Sequence, residues 1–280
     1  MNRTGALAPI RARLPRSEPR IVHSRQNTRV KELRSGFARA ARTDEGHIAI
    51  EGEHLVAEAI ASGIQVSAVF VQMGSESILE RLSLPDAAEV LALPPDVFES
   101  AVRTETPQGI AALVAPPAFS LEQVLAAESA PLVVISAGLQ DPGNLGTLIR
   151  SAEAFGATGF VLLPGSVSLY NQKTLRASAG SAFRLPCVPL KTEELFAALS
   201  ARGITVLAAV ASDGEPVTHQ DLARPSAFIL GNEGNGIAEE ILRLVAKRVT
   251  IPTPGPVESL NAAIAGSILL YEAARQRSLR

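Results

Sequence analysis

The chain has 280 residues, of which 46% are apolar and 19% charged, enough to bury one or two domain cores, and this excludes disorder from end to end. A single cysteine, Cys187, excludes a disulfide scaffold; four histidines give structural zinc little to work with, and no unbroken apolar run reaches 18 residues, the best candidate being Leu260 to Tyr271. The formal net charge of -2 hides an asymmetry: residues 1–42 hold 11 Lys+Arg against 2 Asp+Glu, and the remaining 238 hold 15 against 26.

The first segment, 1–20, reads as a flexible basic arm. Arg3, Arg11, Arg13, Arg16 and Arg20 lie among Pro9, Pro15 and Pro19 with no apolar periodicity. Such an arm suits a polyanion, on which it would order, or is a solvated tail. A transit peptide is disfavoured because the prolines spoil an amphipathic helix. Val30, Leu33 and Phe37 then fall at helical spacing. Ile48–Ile50 reads as a strand, 53–61 as a helix ended by Gly63, and Val66–Val71 as a strand. A short helix at 77–82, a strand at 88–91, a helix at 96–102 after Pro94-Pro95, and a strand at 108–114 complete a compact α/β unit. Pro116-Pro117 and a helix at 120–128 form a connector.

Beyond it, strands at 132–136, 159–163, 205–210, 227–230 and 248–251 alternate with helices at 145–155, 172–178, 192–199, 237–244 and 259–277. Short apolar strands separated by helices are the mark of a mostly parallel sheet covered on both faces. The division is therefore an arm at 1–20, a first domain at 21–116 and a second at 117–280.

Three polar junctions follow strands of the second domain: 141–150, 231–236 and 252–261. Ligands bind at the carboxyl ends of strands in open α/β sheets, so three such junctions on one edge define a candidate site. The first fits neither the Walker loop nor the dinucleotide GxGxxG pattern. Asn144 at a helix start either caps it or faces a ligand. Arg150, among Leu148, Ile149, Ala152 and Phe155, is either held in a salt bridge or aimed at a phosphate or ribose oxygen. The second junction packs three glycines, Asn232, Glu233 and Asn235 into six residues, which is either a plain tight turn or a loop exposing backbone groups to a ligand. Ser259 is most economically a helix N-cap. His23, His47, His54 and His219 have no partners at metal-ligand spacing, so no metal is expected. Cys187, between Pro186 and Val188, is expected to be buried and inert.

Asn144-Leu-Gly-Thr-Leu-Ile-Arg150, Gly231-Asn-Glu-Gly-Asn-Gly236 and Ile251-Pro-Thr-Pro-Gly-Pro-Val-Glu-Ser-Leu-Asn261, with the segment 171–180 between the first two, resemble in order and spacing the motifs of the SpoU/TrmH branch of the SPOUT methyltransferases. Thr253 and Ala262-Ala263 depart from the usual Met and Val-Ser. The first half, through Asn27, Val30-Lys31, Glu51-Gly-Glu-His-Leu55 and Gln108-Gly-Ile110, is similar to the small ribosomal-protein-L30e-like substrate-binding domain. The resemblance implies an α/β catalytic domain closed by a deep trefoil knot, an obligate homodimer through that domain, and a cytoplasmic enzyme without membrane or metal. It implies transfer of a methyl group from S-adenosyl-L-methionine to a ribose 2'-hydroxyl of structured RNA. Ribosomal RNA of the large subunit (23S) is preferred over tRNA on architecture; a non-catalytic RNA-binding protein of the same fold is the other alternative.

The resemblance further implies roles for particular residues. Arg150 would help activate the hydroxyl and Asn144 would orient Arg150 or the ribose. Glu233 would brace the glycine-rich loop, and Ser259 and Asn261 would position the reacting groups. Ala209, Val210, Leu230, Gly231, Asn232, Gly234, Ile251, Pro252, Ser259 and Leu260 would hold the cofactor. Arg25, Asn27, Lys31, Arg150, Lys173 and Arg176 would contact RNA.

Overall fold

The computed structural model describes residues 18–102, 104, 106–126 and 130–279. Most of the expected arm, residues 1–17, lies outside them, as does the end of the expected helix at 120–128. Two sheets organise the rest. The first is built from β1 (Arg20–Ile21), β2 (Ile48–Glu51), β3 (Val66–Gln72), β4 (Glu89–Leu93) and β5 (Ile110–Val114), in the order β1-β4-β3-β5-β2. It is mixed, because β5 runs antiparallel to both β3 and β2. Helices α1 (Thr28–Arg39), α2 (Glu53–Ala61), α3 (Ser77–Arg81) and α4 (Pro95–Val102) cover it.

Arg20 is not part of a free arm. It forms the two-residue strand β1 beside β4, and its guanidinium pairs with Glu89 at 2.7 Å. Two residues are too few to carry an alternation, so composition alone hid this strand.

After α5 (Leu121–Leu125), which carries a Ser120 capping box, the second sheet begins. It comprises β6 (Leu132–Ala137), β7 (Gly159–Leu162), β8 (Cys187–Pro189), β9 (Thr205–Ala209), β10 (Glu215–Pro216), β11 (Ser226–Gly231) and β12 (Lys247–Thr250). Their order is β10-β12-β9-β11-β6-β7-β8, with every pairing parallel. The helices are α6 (Pro142–Ala154), α7 (Gln172–Ser178), α8 (Ser181–Arg184), α9 (Thr192–Ala201), α10 (Glu239–Leu242) and α11 (Ala262–Ser278). Strand β8, with a proline in three residues, and β10 left no readable pattern.

The period-two rule explains why β6 is buried at every position. Leu132 and Val134 face a core shared with α6 and α11; Val133, Ile135 and Ala137 face a second core with Leu195 and Leu199 of α9. Phe228 and Leu230 of β11 join the first core, and Ala227 and Ile229 the second. Helix α11 crosses closely because Gly266 leaves room: a Cβ there would collide with Leu148 of α6. Its far end is tied by Arg277, which donates to the carbonyl oxygens of Leu222, Arg224, Ala130 and Pro131.

The two sheets meet through side chains. Leu175, Ala182 and Phe183 of α7 and α8 enter the core of the first sheet beside Ile50 and Val56. Arg184 bridges Glu58 at 2.6 Å and Glu153 at 2.7 Å. Gln172 donates to the Ala49 carbonyl at 2.7 Å. Among the described residues no helix is long and apolar enough to cross a membrane, and no cluster of three His, Cys, Asp or Glu could hold a metal. Cys187 is buried, and burial pushes its thiol up.

Candidate active site

The strand order reverses between β6 and β11, since the chain proceeds from β6 to β7 on one side and later fills β9 and β11 on the other. Such a switch point opens a crevice at the carboxyl ends of the strands. All three polar junctions lie there. A cavity of about 410 Å³ is walled by 209–211 after β9, by 230–234 and Gly236 after β11, and by 249–251, Thr253 and 258–262 after β12, with Ala265 and Leu269 of α11 behind. Ligand sites commonly occupy about 300–1,000 Å³.

Of the residues expected to hold a cofactor, Ala209, Val210, Leu230, Gly231, Asn232, Gly234, Ile251, Ser259 and Leu260 are on this wall, and Pro252 is not. Gly236, Thr253 and Glu258 line it too, from within the junctions 231–236 and 252–261, and Ala211 and Thr250 line it beside the ends of β9 and β12.

The loop 231–236 is closed by a pair of backbone hydrogen bonds between Asn232 and Gly236, at 2.8 and 2.9 Å. Gly236 adopts φ +68, a left-handed conformation that suits glycine. Asn232 braces this loop: its Oδ1 accepts from Gly234 and Asn235, and its Nδ2 donates to the Gly138 carbonyl at 3.0 Å. Glu233, expected to brace the glycine-rich loop, ties that loop to the first junction. Its carboxylate accepts from the backbone N–H of Gln140 and Asp141, each at 3.2 Å, and from the Asn144 amide at 3.0 Å. Burial pushes the Glu233 carboxyl up, but these donors and its own backbone N–H outweigh it, so the group sits below the usual carboxylate range.

Asp141, not Asn144, caps α6: its Oδ1 accepts from the Asn144 backbone N–H at 2.7 Å, and Pro142 occupies the first turn. Asp141-Pro142 is a legible helix start, so this signal was present in the sequence. Asp141 also pairs with Lys173 at 2.9 Å, and this bond together with the Asn144 backbone N–H holds its carboxyl low. With capping done by Asp141, the Asn144 side chain is released to bridge. It gives its N–H to Glu233, and its Oδ1 accepts from Asn261 Nδ2 at 2.9 Å. Asn261 in turn is the N-cap of α11, its Oδ1 accepting from Ala263 and Ile264. Ser259 is therefore not the cap, and α11 starts at Ala262 rather than at 259. Asn261 wins because its side chain reaches two N–H groups of the first turn.

Arg150 stands apart. It is exposed on α6, has no hydrogen-bond or ion-pair partner among the described residues, and is not on the cavity wall. A salt bridge does not explain it, and Asn144 does not touch it. Of the residues expected to meet RNA, Lys31 is exposed and free of partners among the described residues, Arg25 pairs with Asp96 and Asn27 caps α1. Lys173 is engaged with Asp141, and Arg176 lies 3.5 Å from the buried carboxylate of Glu51.

Comparison with known proteins assigns these features to one class. Residues 131–271 match the model of the SpoU rRNA Methylase family, and residues 27–112 that of the MRM3-like substrate binding domain. The chain belongs to the SpoU rRNA methylase family. It is 35% identical over 250 residues, covering 89% of this chain and 97% of the relative, to the 23S rRNA (guanosine(2553)-2'-O)-methyltransferase RlmP of Bacillus subtilis. Among solved structures it is similar to the AdoMet-bound rRNA methyltransferase of Sinorhizobium meliloti, with TM-score 0.79, 28% identity, and coverage of 92% of this chain and 98% of that one. It is similar also to the SpoU methyltransferase AviRb of Streptomyces viridochromogenes in complex with AdoMet, with TM-score 0.77, 27% identity, and coverage of 90% and 99%.

Proposed function

We propose that this chain transfers a methyl group from S-adenosyl-L-methionine to the 2'-hydroxyl of a ribose in large-subunit (23S) ribosomal RNA, as a cytoplasmic homodimer. The observation that carries the reading is the side-chain relay Glu233–Asn144–Asn261, which ties all three junctions together beside the cavity. The cavity suits the cofactor. Leu230, Ile251, Leu260 and Leu269 offer apolar walls to a purine, and the strand ends beside 209–211 and 250–251 offer backbone donors and acceptors to its edges. Glu233 and Glu258 offer carboxylates to cationic groups.

When bound, the cofactor would supply an electrophilic sulfonium methyl group for the ribose oxygen to take up in exchange for its hydroxyl proton, which would pass to solvent. What the protein contributes is alignment and charge stabilisation. Ala209, Val210, Leu230, Gly231, Asn232, Gly234, Ile251, Ser259 and Leu260 hold the cofactor. Asn144, Glu233, Ser259 and Asn261 fix the loops against which the ribose lies. A guanidinium stays protonated, so Arg150 acts by stabilising charge on the developing alkoxide or the adjacent phosphate, not as a simple base.

The unit at 21–116 is the substrate-binding domain and 117–280 the catalytic one; RNA contacts run through Arg25, Asn27, Lys31, Lys173 and Arg176. The second copy covers an apolar stripe on α11. Ile264, Ile268 and Tyr271 lie at successive helical turns, exposed by 55, 38 and 56%, next to a shallow hollow of about 330 Å³ with Thr147 and Phe155. The test is tritium transfer from labelled cofactor into deproteinised large-subunit rRNA and, in separate reactions, small-subunit rRNA and tRNA, all from a strain lacking this protein. Label in ribose 2'-O-methyl is the expected result; label only in tRNA changes the substrate, and no label with any RNA overturns the activity.

A further inference from the structure

A second groove, of about 600 Å³, opens on the same edge of the second sheet, at the carboxyl ends of β7 and β8. Its walls are the segment 162–170 and residues 187 and 189–191, with Glu194 of α9. The catalytic machinery described above uses none of them.

Two features connect this groove to the active site. The loop between β6 and α6 separates the two cavities and is held from both sides. Gly138 accepts from Asn232 on the cofactor side at 3.0 Å, while its N–H donates to Ser166 Oγ on the groove side at 3.1 Å. Ser166 also meets Ser136 Oγ at 2.9 Å. The same loop carries Asp141 and leads directly to Asn144. The groove thus adjoins the loop beside which the ribose lies. At its other end it meets the first domain: Arg42 lies over the Tyr170 ring, 5.9 Å from the centroid, and donates to the phenol oxygen at 3.4 Å. Ser168 donates to the Ala40 carbonyl at 2.7 Å.

The lining chemistry is specific. Tyr170, Pro164 and Pro189 give flat or apolar surface of the kind on which an unstacked base rests. Lys191 is exposed without an ion-pair partner among the described residues, although Glu194, one turn on, lines the same groove. Arg42 sets a cation on the ring, and Lys191 adds a second cation to the groove beside α9. The Glu194 carboxylate disfavours a phosphate at its own end but accepts from a base N–H edge. An aromatic surface carrying a cation at the first-domain end, with a cation and a carboxylate side by side at the α9 end, matches a nucleotide better than an apolar peptide.

We infer that this groove takes an unpaired nucleotide of the RNA substrate, next to the one whose ribose is methylated, and so contributes to choosing the target. The inference rests on the RNA methyl-transfer reading for its substrate, but its test does not need turnover. Full-length wild type and the variants Tyr170→Ala, Tyr170→Phe and Lys191→Ala are titrated against deproteinised large-subunit rRNA from a strain lacking this protein, at fixed salt and without cofactor. S-adenosylmethionine binding is measured separately by calorimetry. Stacking is worth enough that Tyr170→Ala is expected to weaken RNA binding about ten-fold. Tyr170→Phe is expected to stay within about two-fold, because the ring remains. Lys191→Ala is expected to lower the steepness of the salt dependence by about one counterion. Cofactor binding is expected to be unchanged throughout. RNA binding within two-fold of wild type in both alanine variants overturns the inference, and a loss of cofactor binding in step with RNA binding overturns it as well, since that marks general damage. Wild type that binds RNA yet transfers no methyl group refutes the activity alone, and the groove is then judged on the binding data.

Discussion

Asn144 and Glu233 are 89 residues apart in sequence, yet the amide of one donates to the carboxylate of the other at 3.0 Å. The same amide accepts from Asn261 at 2.9 Å, so one side chain holds the first, second and third junctions in register. Asn144→Ala deletes both bonds and leaves Asp141 capping α6. The expected result is a loss of transfer of roughly 10²–10³, by analogy with removal of one preorganised polar contact. The fall should be in kcat, with the thermal midpoint nearly unchanged. Asn144→Asp should be at least as damaging, because it sets a carboxylate against Glu233. Steady-state kinetics with a parallel melting curve decide this; wild-type kcat in Asn144→Ala would remove the relay from the mechanism.

The Glu233 carboxyl also gives the site a pH dependence with a definite sign. Its folded-state pKa lies below the ordinary value of 4.5. The stabilisation it gives is therefore complete above that ordinary value and is lost as pH falls through the lower folded-state value. Neutralising it frees the N–H groups of Gln140 and Asp141 and loosens the loop that leads into α6 and Asn144. Cofactor affinity should thus decline below about pH 4.5, in the range set by these donors. Glu233→Gln should show a weaker but flatter profile. Binding titrations of both proteins across pH 3–7 check it, and parallel profiles would mean that another acid governs the decline.

Much of this geometry is legible in the amino-acid sequence, and the parts that are not share a physical cause. Strands such as β6 and β11 announce themselves because they are buried on both faces and have no room for polar residues. The three junctions stand out because glycine, proline and asparagine cluster where the chain must turn at strand ends. Strands β1, β8 and β10 have two or three residues each, and their existence depends on a neighbouring strand rather than on their own side chains. Roles were harder to read than places. Asn144, Asp141, Asn261 and Ser259 are all good helix caps, and only tertiary geometry decides which ones cap and which are free to bridge. Likewise Arg176 is indistinguishable in sequence from a surface arginine, but it lies against the buried Glu51.

Arg150 shows the reverse case: an arginine that folding does not use. It is exposed, without a partner among the described residues, on the same helix as Asn144. Replacing it should cost little stability, since exposed positions free of such contacts usually change it by less than about 0.5 kcal/mol. Arg150→Ala is expected to abolish methyl transfer while leaving S-adenosylmethionine affinity within a few-fold, because Arg150 is not on the cofactor wall. Arg150→Lys keeps the charge but loses the planar fork and should recover little. Single-turnover transfer alongside calorimetric cofactor binding measures both, and a fully active Arg150→Ala protein would strike this residue from the reaction.

The position of Arg150 off the cavity wall makes the proposed homodimer a mechanistic matter. Helix α11 supports the cofactor wall through Ala265 and Leu269 and turns Ile264, Ile268 and Tyr271 outward. Tyr271 stacks edge-on against Phe155, the residue that caps the end of α6, the helix that carries Arg150, with centroids 5.9 Å apart. A second copy docking here would bury the stripe and bring its α6 close to this one. Ile268→Glu places a charge at the centre of the stripe without touching the cavity. It should convert a dimer to a monomer in sedimentation velocity and leave the far-UV spectrum intact. If Arg150 of one copy serves the cofactor bound by the other, activity should fall with the dimer. Mixing Arg150→Ala with Asn144→Ala protein should then restore part of it, since each hybrid retains one intact composite site if Asn144 acts beside its own cavity. A monomeric Ile268→Glu protein with full activity would show that each copy completes its own site.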